Sequence, residues 1–79
     1  MSPGIGLMKR RLETEKSAVS LAVSGITKKF KVQTNEIQNL ETKYDDDSGD
    51  WYVALGWQDN KAVIRMVSVQ AKILEIKEI

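Results

Sequence analysis

A chain of 79 residues, 42% hydrophobic and 29% charged, has the composition of one small globular domain and not of a disordered tail. It contains no cysteine and no histidine, which excludes disulfides, zinc fingers, thiol redox sites and histidine-based catalytic triads. The net charge of +1 conceals an asymmetry, because residues 1–31 carry +5 and residues 32–79 carry −4. Such a split is typical of a solvated helix face opposite an acidic loop, and it leaves attraction of an anionic partner open.

The absence of cysteine and histidine removes many of the common catalytic groups. Carboxylate and lysine chemistry remain open, but a chain this short rarely builds an enclosed pocket. We therefore expect a non-enzymatic protein without a metal or a cofactor. No stretch approaches the ~20 apolar residues that span a bilayer. The N-terminal MSPGIGLMKRR lacks the order of a signal peptide. The expected location is the cytoplasm, with an exported form that has lost its leader as the alternative. Met8 could be the native start, which would make residues 1–7 an appended segment.

The first predicted element is a helix from about Leu12 to Phe30. It follows a flexible segment over residues 1–11 and opens a single domain over residues 12–79. Apolar side chains recur at intervals of three and four, which places them on one helix face: Val19, Ala22, Val23, Ile26 and Phe30. Thr14 is the expected N-cap, because its hydroxyl can accept a backbone N–H. Gly25 either weakens the helix or allows a close approach to whatever the helix packs on.

Strands follow over Ile37–Tyr44, Trp51–Gln58 and Ala62–Val69, and Ile73–Ile79 continues as a fourth strand or as an extension of the third. The short connections predict an antiparallel meander with the helix on one face, an α+β fold. The second strand is the clearest, with one apolar face that the helix should cover: Trp51, Val53, Leu55 and Trp57. Gly56 within this strand indicates a bulge or a close approach.

The alternation of side chains along a strand predicts which residues of the first and last strands share a face of the sheet. In the first strand, whose imperfect pattern is typical of a sheet edge, Leu40 shares a face with Thr42 and Tyr44. In the last segment, Leu74 and Ile76 alternate against Glu75 and Lys77 in the same way.

The acidic run Asp45–Asp50 raises the question of a calcium site. A calcium-binding hand needs glycine at its sixth position and a bidentate glutamate at its twelfth, where this chain has Asp50 and Gly56. The run is instead typical of a hairpin loop, in which Gly49 can adopt a positive φ. Trp51 and Trp57 could stack on a base or a sugar. Their shared parity favours the core, and Trp57, near the strand end, is expected to be partly exposed.

Two basic clusters flank the predicted helix, Lys9–Arg11 before it and Lys28, Lys29 and Lys31 at its end. The three lysines are candidate anion contacts, and a nucleic-acid accessory protein is one alternative function. Because the clusters lie at opposite helix ends, they do not form one patch on a monomer, and nucleic-acid binding is the less favoured interpretation.

Self-association is the favoured interpretation, because a domain this small gains stability from a partner. The third strand is apolar on both faces, and the terminal ILEIKEI can offer a free sheet edge. We expect a protein–protein interaction module that forms a homodimer or binds an unidentified protein. Its candidate partner contacts are Tyr52, Ile64, Met66, Leu74 and Ile76. A binder of a small ligand between helix and sheet is a further alternative.

The order of these elements resembles the PepSY-like domains. The similarity covers about residues 16–76 and depends on Trp51, Tyr52 and Val53 after an acidic turn, followed by the later apolar positions Val67, Val69, Ile73 and Leu74. The chain departs from the family at Gln70–Lys72, where those domains have a threonine-glycine turn, and it has no export signal. The resemblance implies a non-catalytic domain that binds or inhibits partner proteins, often proteases.

Overall fold

The computed structural model describes residues 14–79, in which one α-helix packs on a four-stranded antiparallel sheet. Helix α1 spans Glu15–Phe30, and a 3-10 turn at Thr34–Glu36 leads into the sheet. The strands pair in chain order and are β1 (Ile37–Asp45), β2 (Asp50–Trp57), β3 (Asn60–Val67) and β4 (Lys72–Glu78). The predicted α+β fold and meander are confirmed. The flexible segment predicted for residues 1–11 lies outside the described residues.

Both ends of α1 are capped by residues that follow the helix rules. The Thr14 hydroxyl accepts a hydrogen bond from the backbone N–H of Ser17 at 3.1 Å, so the predicted N-cap is confirmed. Lys31 ends the helix in the left-handed conformation with φ 58°, and its N–H donates to the Thr27 carbonyl. Lys28 and Lys29 lie in the last turn, where the helix dipole favours positive charge.

The buried stripe of α1 is narrower and smaller than the sequence predicted. Ala18, Ala22 and Ile26 are fully buried, whereas Val19 and Val23 of the predicted face lie beside them and are partly exposed. The small side chains of Ala18 and Ala22 let this part of α1 lie close to the sheet, and the larger Ile26 fills the space nearer the end of the helix.

Gly25 extends this close contact to β4. A Cβ atom added to Gly25 would lie 2.5 Å from Cδ1 of Ile73 and 3.6 Å from Cδ1 of Ile76. Of the two roles expected for this glycine, the close approach is therefore the one observed.

The tryptophans of β2 lie at opposite ends of the core. Trp51 and Trp57 are 6% and 3% exposed, with fully buried Val53 and Leu55 between them, so Trp57 is more buried than expected. The ring of Trp57 contacts Phe30 of α1 at 5.0 Å, and the ring of Trp51 contacts Tyr44 of β1 at 5.1 Å between centroids. Aromatic pairs at these separations contribute beyond their buried area, so both ends of the core are stabilised.

Two β-bulges correct the predicted alternation of the edge strands. The register slips between Asn39 and Glu41 in β1, which leaves Leu40 as the extra residue. It slips again in β4, where Ile73 pairs with Met66 and Glu75 with Arg65, so that Leu74 is extra. Residues beyond each bulge therefore change face. Leu40 does not share a face with Thr42 and Tyr44, and Leu74 does not share one with Ile76.

The turns at the two ends of the sheet use the left-handed conformation in different ways. Gly49 has φ 75°, as predicted, and its carbonyl accepts bonds from both the N–H and the hydroxyl of Ser68 at 3.2 and 2.8 Å. This joins the β1–β2 turn to the β3–β4 turn. In the β2–β3 turn the left-handed residue is Gln58, with φ 54°.

Gly25→Leu should destabilise the domain by about 1–3 kcal/mol, because the new side chain overpacks the contact between α1 and β4. Gly25→Ala should change stability by less than ~1 kcal/mol, since the gain in helix propensity opposes a small displacement of the flexible end of Ile73. Ser24→Leu, at an exposed neighbouring position, is the control. Urea denaturation checks all three, and a Gly25→Leu variant as stable as the parent would contradict the packing described.

Gln58→Gly should raise stability by about 1 kcal/mol, since glycine adopts a positive φ without the cost that a side chain imposes. For a domain of this size, that gain corresponds to a rise of about 4–8 °C in the melting temperature. Asp59→Gly is the matched control, because Asp59 is also exposed in this turn but lacks a positive φ, and it should not stabilise. Equal melting temperatures for the two variants would show that the positive φ of Gln58 does not destabilise the domain.

Candidate interaction face

The sheet has one face that α1 does not cover, and we call it the open face. Its centre is formed by the six partly exposed residues of β2 and β3 that alternate with the core: Tyr52, Ala54, Gly56, Val63, Arg65 and Val67. All six are partly exposed, in contrast to the buried residues between them. Three of them are aliphatic, and Ala54 pairs directly with Val63 across the two strands. The centre of the sheet therefore presents apolar surface on a side that has no cover within residues 14–79.

Leu40 widens this apolar surface toward β1. It is 49% exposed, and a Cβ atom added to Gly56 would lie 3.2 Å from its Cδ1 atom. Gly56 thus leaves room for Leu40 to lie flat across β2, which is the close approach predicted for this glycine. The bulge places Leu40 on the open face together with Glu41, which pairs with Ala54.

A polar cluster occupies the other half of the open face. Asp50 is 4% exposed, and its carboxylate accepts a 2.8 Å hydrogen bond from Nε of Arg65. The guanidinium of Arg65 also lies 5.9 Å from the ring centre of Tyr52, within the range of a cation–π contact.

The hydrogen bond to Asp50 raises the pKa of Arg65, with smaller contributions from Tyr52 and Glu75.

The predicted partner contacts fall in three different places. Tyr52 lies on the open face. Ile64 and Met66 are fully buried under α1 and are not available to a partner in this fold. Ile76 is partly buried near Gly25, and Leu74 is 48% exposed at the sheet edge.

Sequence reasoning missed the open-face residues of β3, although a signal for them existed. A short turn that pairs β2 with β3 places Ile64 and Met66 on the tryptophan face, where Ile64 pairs with Val53. The same pairing assigns Val63 and Val67 to the opposite face.

The three candidate anion contacts lie at the C-terminal end of α1. Lys28, Lys29 and Lys31 are exposed, and Nζ of Lys29 lies 5.7 Å from the centre of the Phe30 ring. Their positive charge suits the negative end of the helix dipole, and their role as anion contacts stays a prediction.

The acidic run forms the turn predicted for it. Residues 46–49 connect β1 to β2, and a side-chain oxygen of Asp45 accepts a hydrogen bond from the N–H of Asp47 at 3.0 Å. Among residues 14–79, no group of three or more acidic side chains is placed to hold a metal ion. The same residues contain no helix long and apolar enough to cross a membrane.

A groove of about 620 Å³ runs between the first half of α1 and β1. Its lining combines an apolar strip with polar and charged side chains: Glu15, Lys16, Val19, Ser20, Val23, Thr34 and Asn39. No buried polar side-chain atom of residues 14–79 lacks a hydrogen-bond partner, so no unpaired buried group marks this groove as a ligand site. The groove therefore supports a binding function less well than the open face does.

No family model, curated protein or solved structure matches this chain. The resemblance to PepSY-like domains, and the partner binding that it implies, therefore stay predictions.

Arg65→Met should lower the melting temperature, because it leaves the buried carboxylate of Asp50 without its partner. Adding Asp50→Asn should recover part of the loss, since a neutral amide costs less to bury than an unpaired charge. Lys61→Met, which removes an exposed cation from the same strand, should melt like the parent. An Arg65→Met variant with an unchanged melting temperature would show that the ion pair does not stabilise the fold.

Proposed function

We propose that this domain is a non-enzymatic protein–protein interaction module that associates with a second copy of itself through the open face. The observation that carries the proposal is the aliphatic surface of Ala54, Val63, Val67 and Leu40, which has no cover within the described residues. A small domain without cysteines has no disulfides to stabilise it, and it gains stability from burying such a surface in an oligomer.

The open face is favoured over the sheet edge as the contact. An edge strand pairs most readily when it is flat and apolar, and natural sheets protect edges with bulges and charged side chains. Strand β4 has both protective features, since Leu74 forms a bulge and Lys72, Glu75 and Lys77 are charged and exposed. β1 has its own bulge at Leu40. The edges therefore resist strand addition, whereas the open face has no comparable protection at its centre.

The size of the open face is sufficient for a specific but modest interface. Strands of eight residues at about 3.3 Å per residue, in a sheet of four strands about 4.8 Å apart, give a face of roughly 500 Å². Two copies would then bury about 1,000 Å², near the lower limit for specific protein interfaces. We therefore expect an association that depends on protein concentration.

Val63→Lys should shift the protein toward monomer, because it places a charge in the apolar centre of the proposed interface. Val69→Lys is a matched control. Val69 is a valine with 50% exposure, more than the partly exposed Val63, and it lies in the turn after β3 and away from the open face. Light scattering across a concentration series gives the mass of each variant, and melting curves confirm that both fold.

A parent protein that is monomeric at every concentration would overturn the proposal, as would equal dissociation of both variants. Strong retention on an anionic polymer that falls steeply with salt would instead support the nucleic-acid alternative. A rise in melting temperature with an added small molecule would support a ligand-binding function.

A further inference from the structure

The open face has a charge pattern that is complementary to itself. In one row across the sheet, Lys43 pairs with Tyr52, Tyr52 with Arg65, and Arg65 with Glu75. The row therefore begins with a positive charge on β1 and ends with a negative charge on β4.

The next row has the opposite polarity. Glu41 pairs with Ala54, Ala54 with Val63, and Val63 with Lys77. Each row has one charge at each edge of the sheet, and the sign reverses from row to row. Because all four edge residues are exposed, their charges are available to a surface placed over the open face.

On the basis of the proposed self-association, we infer that two copies pack face to face about a two-fold axis that runs parallel to the strands. This rotation brings β1 of one copy over β4 of the other and keeps each row over its counterpart. Lys43 then faces Glu75 of the second copy, and Glu41 faces Lys77 of the second copy. By symmetry each contact occurs twice. At the centre, Ala54 faces Val63 of the second copy.

The natural twist of sheets is compatible with these contacts. Packed sheets cross at about 30°, and an edge strand lies about 7 Å from the centre line of a four-stranded sheet. The crossing therefore displaces an edge residue by about 4 Å, which flexible lysine and glutamate side chains can span.

A two-fold axis perpendicular to the strands is the competing arrangement. It would place one row over the other, so that Lys43 faces Glu41 and Glu75 faces Lys77. The surroundings of Arg65 argue against the perpendicular axis, because that axis places Arg65 over Val63 of the second copy. The axis parallel to the strands places Arg65 over the ring of Tyr52, where a guanidinium gains a cation–π contact.

Charge exchange in the full chain tests the arrangement. Glu41→Lys and Lys77→Glu should each weaken the dimer about tenfold, because each converts two symmetric attractions into repulsions. The double variant Glu41→Lys/Lys77→Glu should return to the parent dissociation constant. These positions lie opposite Ala54 and Val63, so the exchange leaves the Asp50–Arg65 pair intact. Lys16→Glu, on the exposed surface of α1, controls for net charge and should not change association.

Sedimentation equilibrium distinguishes the outcomes. Recovery in the Glu41→Lys/Lys77→Glu variant supports the inference. Recovery in Glu41→Lys/Lys43→Glu, with the first pair left dissociated, overturns it in favour of the perpendicular axis while self-association stands. Dissociation by Val63→Lys without an effect of any charge variant also overturns the inference but not the proposed function. A parent protein that is monomeric throughout overturns both.

Discussion

A single helix can cover only one face of a sheet, and the rest of this structure follows from that constraint. Helix α1 has 16 residues and meets the sheet through a stripe of small side chains, which brings its backbone close to β4 at Gly25. Parity then divides most residues of β2 and β3 between the buried core and the open face, with the exposed Asn60 at the turn and the buried Asp50 as exceptions. No second layer covers that face within residues 14–79.

Aromatic pairs lie at both ends of the core, one between the helix and the sheet and the other within the sheet. Trp57 packs against Phe30 at the end of α1, and Trp51 packs against Tyr44 at the opposite end of β2. A domain of this length buries only about 60% of the surface of its unfolded chain. The half-buried valines of the open face therefore expose apolar area, and a second copy that removed this area from water would add stability.

Features that depend on a local sequence pattern could be predicted, whereas features that depend on the pairing of neighbouring strands were not. The cap at Thr14 and the apolar face of β2 each follow from a local pattern, whereas the sequence left two roles open for Gly25, whose contact is with β4. The bulges at Leu40 and Leu74 depend on how neighbouring strands pair, and alternation within one strand contains no sign of them. The open-face valines of β3 were missed because the choice between Val63 and Ile64 requires the register with β2, which the short turn between the two strands indicates. The contact between Asp50 and Arg65 joins residues 15 apart and leaves no local pattern.

Methyl NMR spectra of the unmodified protein across a concentration series test self-association through the open face, because they report each apolar side chain separately. We expect the methyl signals of Ala54, Val63 and Val67 to shift together as the protein concentration rises. The signals of Val19 and Val23, beside the groove of α1, should stay in place. Shifts confined to the groove valines, or the absence of any shift at high concentration, would contradict self-association through the open face.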